Sequence, residues 1–166
     1  MLENKKTILS SKTKTVEICR DNPTVLIGER INPTGRKVVL AALQEGNFEL
    51  VRQDAIKQVE AGATVLDVNA GVPGADEVAL LSQVIQEVMS VVDAPLCIDT
   101  ANPQALEAAL KLYEGKALIN SVNGEEKSLE TILPLAKEYG AAIIGLCMDD
   151  DGIPTTPSAR LEVADK

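Results

Sequence analysis

The sequence contains no histidine and no tryptophan, and among its 166 residues it has one phenylalanine (Phe48) and two tyrosines (Tyr113 and Tyr139). The missing imidazole removes the usual partner of a serine or cysteine nucleophile and the commonest zinc ligand, so histidine-based triads and metal centres are excluded here. The shortage of aromatics leaves the 45% hydrophobic content to Val, Ile, Leu and Ala. That composition suits parallel strands buried beneath helices better than a sandwich of aromatic-rich sheets. An excess of positive charge is also lacking: 16 Lys and Arg face 25 Asp and Glu, for a net charge of -9. A phosphate backbone would be repelled, which excludes nucleic acid as a partner. No window reaches the roughly 18 apolar residues of a membrane-spanning helix. The opening MLENKKTILSSKTK has no apolar stretch of the kind a secretory leader needs. No membrane partner is expected, and the expected location is the cytoplasm. Cysteine is sparse: Cys19, Cys97 and Cys147 stand far apart with no CxxC pairing, which fits reduced thiols rather than a disulfide frame.

What is present is a repeating pattern. Residues 1–24 form an N-terminal extension in which ILSS, a polar KTK bend and TVEI predict a hairpin that could close a barrel floor. From residue 25 to 166 short aliphatic runs alternate with helical stretches. Strands are predicted at 25–30, 64–70, 95–100, 117–121 and 141–148. Helices are predicted at 37–44, 49–61, 75–91, 103–112 and 129–139. Asn102 before Pro103 is a cap followed by a first-turn proline, and Gly62, Gly115 and Gly140 stand just past helix ends. Strict alternation implies a parallel α/β sheet with right-handed crossovers, either doubly wound or part of a (β/α)8 barrel. Neither a GxGxxG fingerprint nor a Walker A motif follows a strand.

Four of these five strands end in polar side chains: Glu29, Arg30 and Asn32; Asp67 and Asn69; Asp99 and Thr100; Asn120 and Ser121. The C-terminal ends of parallel strands form one rim, where sites in such folds are built. A single Asp or Asn after a strand is often only the cap of the next helix; four strands in succession point to convergence. Asp67 and Asn69 are two apart and share one face of their strand. Carboxylates and amides without histidine or metal-ligand spacing make a hydrogen-bonding pocket for a heterocycle rather than a hydrolytic or metal centre. The stretch Gly71–Gly74 is followed by Asp76 and Glu77, which would repel an anion, so it reads as an ordinary loop. The run Asp149–Asp151 before Gly152 lacks the glutamate a calcium loop needs, Arg160 standing in its place.

Around these residues the segments IGERINPTGRK (27–37), GATVLDVNAG (62–71), PLCIDT (95–100), GKALINSVNGEE (115–126) and YGAAIIGLCMDDDGIP (139–154) resemble the pterin-binding family. That family joins dihydropteroate synthase, the methyltetrahydrofolate module of cobalamin-dependent methionine synthase, and methyltetrahydrofolate:corrinoid protein methyltransferases. GERIN and LDVNAG resemble the methyltransferase branch, since the synthase's N-x-T-P-D-S-F and G-G-E-S-T-R-P segments are lacking. The resemblance implies a (β/α)8 TIM barrel of the pterin-binding type, of which this chain supplies the hairpin and about the first five βα strands. It further implies transfer of the N5-methyl group of methyltetrahydrofolate to the Co(I) of cobalamin carried by a corrinoid protein partner, and a homodimer is expected. Dihydropteroate synthesis and a non-catalytic pterin-binding module or half-barrel are the alternatives. By the same resemblance Asp99 and Asn120 hydrogen-bond the pterin's amino-pyrimidine edge, Asp67 and Asn69 shape the pocket floor, Glu29 and Asn32 line the first loop, and Ser121 lies beside them. The group that activates N5 is expected beyond Lys166.

Overall fold

The computed structural model describes residues 5–166. A hairpin of β1 (Thr7–Ser10) and β2 (Thr15–Ile18) opens the chain, paired antiparallel with Thr7 opposite Ile18. There follow β3 (Ile27–Ile31), α1 (Lys37–Gln44), α2 (Glu49–Glu60), β4 (Val65–Val68), α3 (Glu77–Val91), β5 (Leu96–Asp99), α4 (Pro103–Leu112), β6 (Leu118–Asn123), α5 (Glu126–Glu138), β7 (Ala142–Leu146) and α6 (Pro157–Ala164).

Strands β3 to β7 form one parallel sheet in sequential order. A doubly wound sheet reverses its strand order at a switch point; this one never does. Right-handed crossovers that always step the same way put every helix on one face, as in the wall of a barrel. The buried side chains divide accordingly. Leu66, Val68, Ile98 and Ile119 point outward into the large aliphatic core shared with the helices, against Leu81, Val84, Ile85, Leu106 and Ile132 among others. Val65, Cys97 and Leu118 point the opposite way and pack with Leu9 of β1. The hairpin thus covers the N-terminal end of the inner face with a fully buried leucine.

Helix starts follow local chemistry. Asp76 accepts from the Val78 and Ala79 amides at 3.0 and 3.2 Å, and Asn102 from Gln104 and Ala105 at 3.0 and 3.3 Å, with Pro103 in the first turn. Most boundaries fall within a few residues of the sequence expectation, and two differences bear on the site and the chain's end. α5 begins at Glu126 rather than 129, because Ser128 turns back to accept from the Asn123 amide at 3.2 Å and the helix closes directly onto β6. α6 was not expected; Thr156 caps it through the Ala159 amide at 3.3 Å, with Pro157 behind it.

A clamp at Ser10 ties the hairpin to the sheet. Ser10 and Lys116 exchange two backbone hydrogen bonds, each 3.0 Å. The Tyr113 hydroxyl donates to the Ser10 carbonyl at 2.8 Å and accepts from the Leu96 amide at 3.1 Å. Burial pushes that phenol up to about 12, so it stays a donor at all ordinary pH. Gly115 runs beside it at φ +151°, where a Cβ would stand 2.2 Å from the Ser10 carbonyl oxygen. Gly115→Ala therefore has to displace the hairpin, with a cost on the order of 2 kcal/mol or more. Tyr113→Phe leaves the buried Leu96 amide without its acceptor, while the Ser10 carbonyl keeps the Lys116 amide, a cost of about 1 to 3 kcal/mol. Urea denaturation of the two variants checks both figures, and a Gly115→Ala midpoint equal to wild type would show that the close approach is not required.

Candidate functional site

The inner face changes character along each strand. Side chains two residues apart share a face, so Val65, Asp67 and Asn69 line up on β4, Cys97 and Asp99 on β5, and Leu118 and Asn120 on β6. Towards the hairpin this surface is apolar; towards the C-terminal strand ends it is carboxylate and amide. Register places Asp67 opposite Cys97, Cys97 opposite Leu118, and Asp99 opposite Asn120.

The structure brings four of the residues singled out in the sequence into one hydrogen-bonded group. Asn120 Nδ2 donates to Asp67 Oδ1 at 3.1 Å, reaching across β5. Asn69 Nδ2 donates to Asp99 Oδ2 at 3.1 Å and to the Asp99 carbonyl at 3.2 Å. Asn69 Oδ1 is itself taken by the Gly71 amide at 2.9 Å. Asp67 is 7% exposed. Among the described residues nothing donates to Asp99 Oδ1 or to Asn120 Oδ1.

A cavity of about 370 Å³ adjoins Asp99 and Asn120 at the ends of β5 and β6, lined also by Thr100, Ser121, Asn123 and Lys127 and walled by residues of α4 and α5 such as Pro103 and Thr131. Such a volume is in the range of small-molecule pockets. Asp67 and Asn69 are not part of its lining but hydrogen-bond the two residues of the group that are. Glu29 and Asn32 are not drawn in: Glu29 is exposed on β3, and Asn32 Oδ1 accepts from the Thr34 amide at 2.8 Å to close a turn. Asn123 and Lys127 escaped the sequence reading. They reach the cavity because β6 runs to Asn123 and α5 starts early, and only the mostly polar stretch from Asn120 to Lys127, broken by Val122, hinted at it. Asp149 of the acidic turn is paired with Lys166 at 2.6 Å. Among the described residues no cluster of three metal-ligating side chains occurs, and no helix is long and apolar enough to cross a membrane.

Residues 28–165 match the family of pterin binding enzymes. The chain belongs to the pterin-binding family. It is 35% identical over 141 residues to the methylcorrinoid:tetrahydrofolate methyltransferase of Eubacterium limosum, covering 84% of this chain and 52% of that protein. With the methionine synthase of Mycobacterium tuberculosis it shares 28% over 163 residues, 95% of this chain and 14% of the relative. Among solved structures, dihydropteroate synthase from Thermus thermophilus matches with a TM-score of 0.55 and 26% identity, covering 82% of this chain and 47% of that one. The chain therefore spans about half, or less, of the length of these relatives. Its fold is that of the pterin-binding barrel, of which it supplies the hairpin and five consecutive βα strands.

Electrostatics separates the members of the group. Burial is the main cause that raises Asp99 above the ordinary carboxylate range; the charge of Asp67 adds to it and that of Glu77 adds less, while the Asn69 hydrogen bond works against them. Burial beside Asp67 also keeps the Cys97 thiol protonated, so it serves as packing rather than as a nucleophile. A carboxylate whose folded pKa is raised stabilises the fold below the unfolded value of about 4 and loses that contribution as pH rises through the folded pKa. At neutral pH an ionised Asp99 is thus a burden on stability. Asp99→Asn keeps an acceptor for Asn69 and removes the charge. Its thermal midpoint should exceed wild type at pH 7, with the difference closing as pH falls below about 4. A variant less stable than wild type at pH 7 would contradict this assignment.

Proposed function

We propose that this chain binds a reduced folate by its pterin ring and serves a methyltransferase that moves the N5-methyl group between tetrahydrofolate and a corrinoid protein. The observation that carries the reading is the Asp99–Asn120 pair: adjacent in register, facing one cavity, and held from behind by Asn69 and Asp67. The 35% identity to a protein named for this reaction supports the choice of substrate.

The pair suits a pterin edge. An ionised carboxylate accepts from the ring amine and a neighbouring N–H, while an amide can accept from one ring atom and donate to another. An acceptor oxygen on each residue still open among the described residues is what such an edge requires. The walls then fix the ring so that the N5–methyl bond points out of the strand ends, where a partner protein can approach. Holding two reactants in line removes much of the entropic part of a bimolecular barrier. The corrinoid of the partner supplies the cobalt chemistry; the residues of this chain bind, orient and shield. The relative's name runs from methylcorrinoid to tetrahydrofolate, the reverse of the direction read from the sequence. Both directions pass through one transition state, so the same geometry serves either.

The dihydropteroate synthase reading draws on a likeness of fold, while the methyltransferase reading draws on the higher identity and on the GERIN and LDVNAG segments. Mixing the complete protein with cob(I)alamin and methyltetrahydrofolate in a stopped-flow spectrometer should convert the Co(I) spectrum to that of methylcobalamin. Absence of conversion in either direction would sink the transferase proposal, and calorimetric binding of tetrahydrofolate without turnover would leave a pterin-binding module. Asp99→Ala and Asn120→Ala should each weaken tetrahydrofolate binding by about 1 to 3 kcal/mol. Incubation with p-aminobenzoate and a pterin pyrophosphate is expected to yield no dihydropteroate.

A further inference from the structure

Glu77 follows the loop after β4, in the first turn of α3, yet its carboxylate is spent on the next βα unit. Oε1 accepts from the Thr100 hydroxyl at 2.5 Å, and Oε2 accepts from Asn102 Nδ2 at 3.3 Å. The Thr100 Oγ1 also accepts from the Asn102 amide at 3.1 Å. Thr100 is 4% exposed, so without Glu77 its hydroxyl would be a buried donor lacking an acceptor. Asn102 uses its remaining oxygen to cap α4. One carboxylate thereby fixes the short link from Thr100 to Asn102, between two helix N-termini whose dipoles favour negative charge.

That link is where the sheet stops holding the chain. On the β4 side the ladder ends at Val68 opposite Ile98, and on the β6 side at Asp99 opposite Asn120. Asp99 is thus the last paired residue of its strand, on one side only, and the peptide after it has no ladder. We propose that Glu77 is a positioning residue for Asp99: its bonds to Thr100 and Asn102 hold the chain leaving β5 so that the Asp99 carboxyl stands against Asn69 and faces the cavity. The proposal rests on the folate reading only for the identity of what Asp99 meets.

A second consequence is electrostatic. The groups that face Asp99 are Asp67 from β4 and Glu77 from α3, both acidic, the thiol of Cys97 below it on its own strand, and the neutral Asn69 and Asn120. Glu77 adds negative potential at Asp99 as well as fixing its backbone. Removing the Glu77 charge should let Asp99 ionise at lower pH.

The test combines three substitutions. Glu77→Gln keeps the length and an oxygen for the Thr100 hydroxyl but removes the charge; Thr100→Val keeps the shape but removes the donor; Glu77→Ala removes the clasp. In the ligand-free chain, the ¹³C carboxyl titration of Asp99 should move acidward in Glu77→Gln. In calorimetry with tetrahydrofolate well below the thermal midpoint, Glu77→Ala and Thr100→Val should each raise Kd by about tenfold. The double variant should lose little more than either single one, since both break the same contact. A merely structural role would lower the midpoint and leave the Kd, and the Asp99 titration in the charge-keeping Thr100→Val, where they are. Tetrahydrofolate affinity indifferent to both substitutions, or losses that simply add, would overturn the clasp and leave the folate reading intact. A chain that binds no tetrahydrofolate would overturn the folate reading; the clasp then stands if the Asp99 titration moves in Thr100→Val, which keeps the Glu77 charge, and falls if it does not.

Discussion

The site depends on parallel register. Because β4, β5 and β6 are paired with Asp67 opposite Cys97, Cys97 opposite Leu118 and Asp99 opposite Asn120, residues far apart in the chain form rows across the inner face. A slip of one residue in any strand would send its polar side chains into the aliphatic core beneath the helices and bring leucines inward. Curvature matters as much as register. β4 and β6 are separated by β5, roughly two strand spacings of about 4.8 Å each, yet Asn120 reaches Asp67 at 3.1 Å. Two short side chains spanning that gap over Cys97 fit a sheet that is concave on this side, as the wall of a barrel is. The hairpin's Leu9 fills the apolar end of the same concave face.

That geometry imposes an electrostatic burden. Asp67 and Asp99 share a partly desolvated surface, and Glu77 stands close enough to raise Asp99 further. Each carboxylate has an amide partner, Asn120 for Asp67 and Asn69 for Asp99, which offsets but does not remove the repulsion. A fold selected only for stability would place apolar or neutral residues here. Raised proton affinity in a cavity-facing carboxylate is the pattern expected where a group is kept for binding rather than for the fold. The Tyr113 clamp and the aliphatic core under the helices supply the stability that lets such an arrangement persist.

The legible part of the structure was the part encoded by local periodicity. Each short aliphatic run became a strand of the sheet within the expected range or nearly so, and the polar bend after ILSS became a hairpin. Two-residue spacing marked Asp67 and Asn69 for a common face, because side-chain alternation is a property of the strand alone. What stayed hidden depends on contacts between units. The early start of α5 comes from Ser128 bonding back to β6, and it is this that carries Lys127 to the cavity. Glu77 looked like a repellent charge beside a glycine-rich loop; that its carboxylate serves Thr100 and Asn102, more than twenty positions on, is invisible without the packing of α3 on α4. Glu29 and Asn32 show the converse, strand-end residues whose type suits a site but whose side chains face solvent or close a turn.

The two asparagines of the group separate shape from recognition. Asn69 has both ends of its amide occupied, the oxygen by the Gly71 amide and the nitrogen by Asp99. Its orientation is therefore fixed, and it has little left to offer a ligand. Asn120 gives its nitrogen to Asp67, and that bond decides which way its amide faces. Its oxygen takes no donor among the described residues, and Asn120 lines the cavity beside its register partner Asp99. Asp67 thus acts through Asn120 in the way that Asn69 and Glu77 act on Asp99: residues deeper in the fold spend their hydrogen bonds to aim the two that meet the cavity.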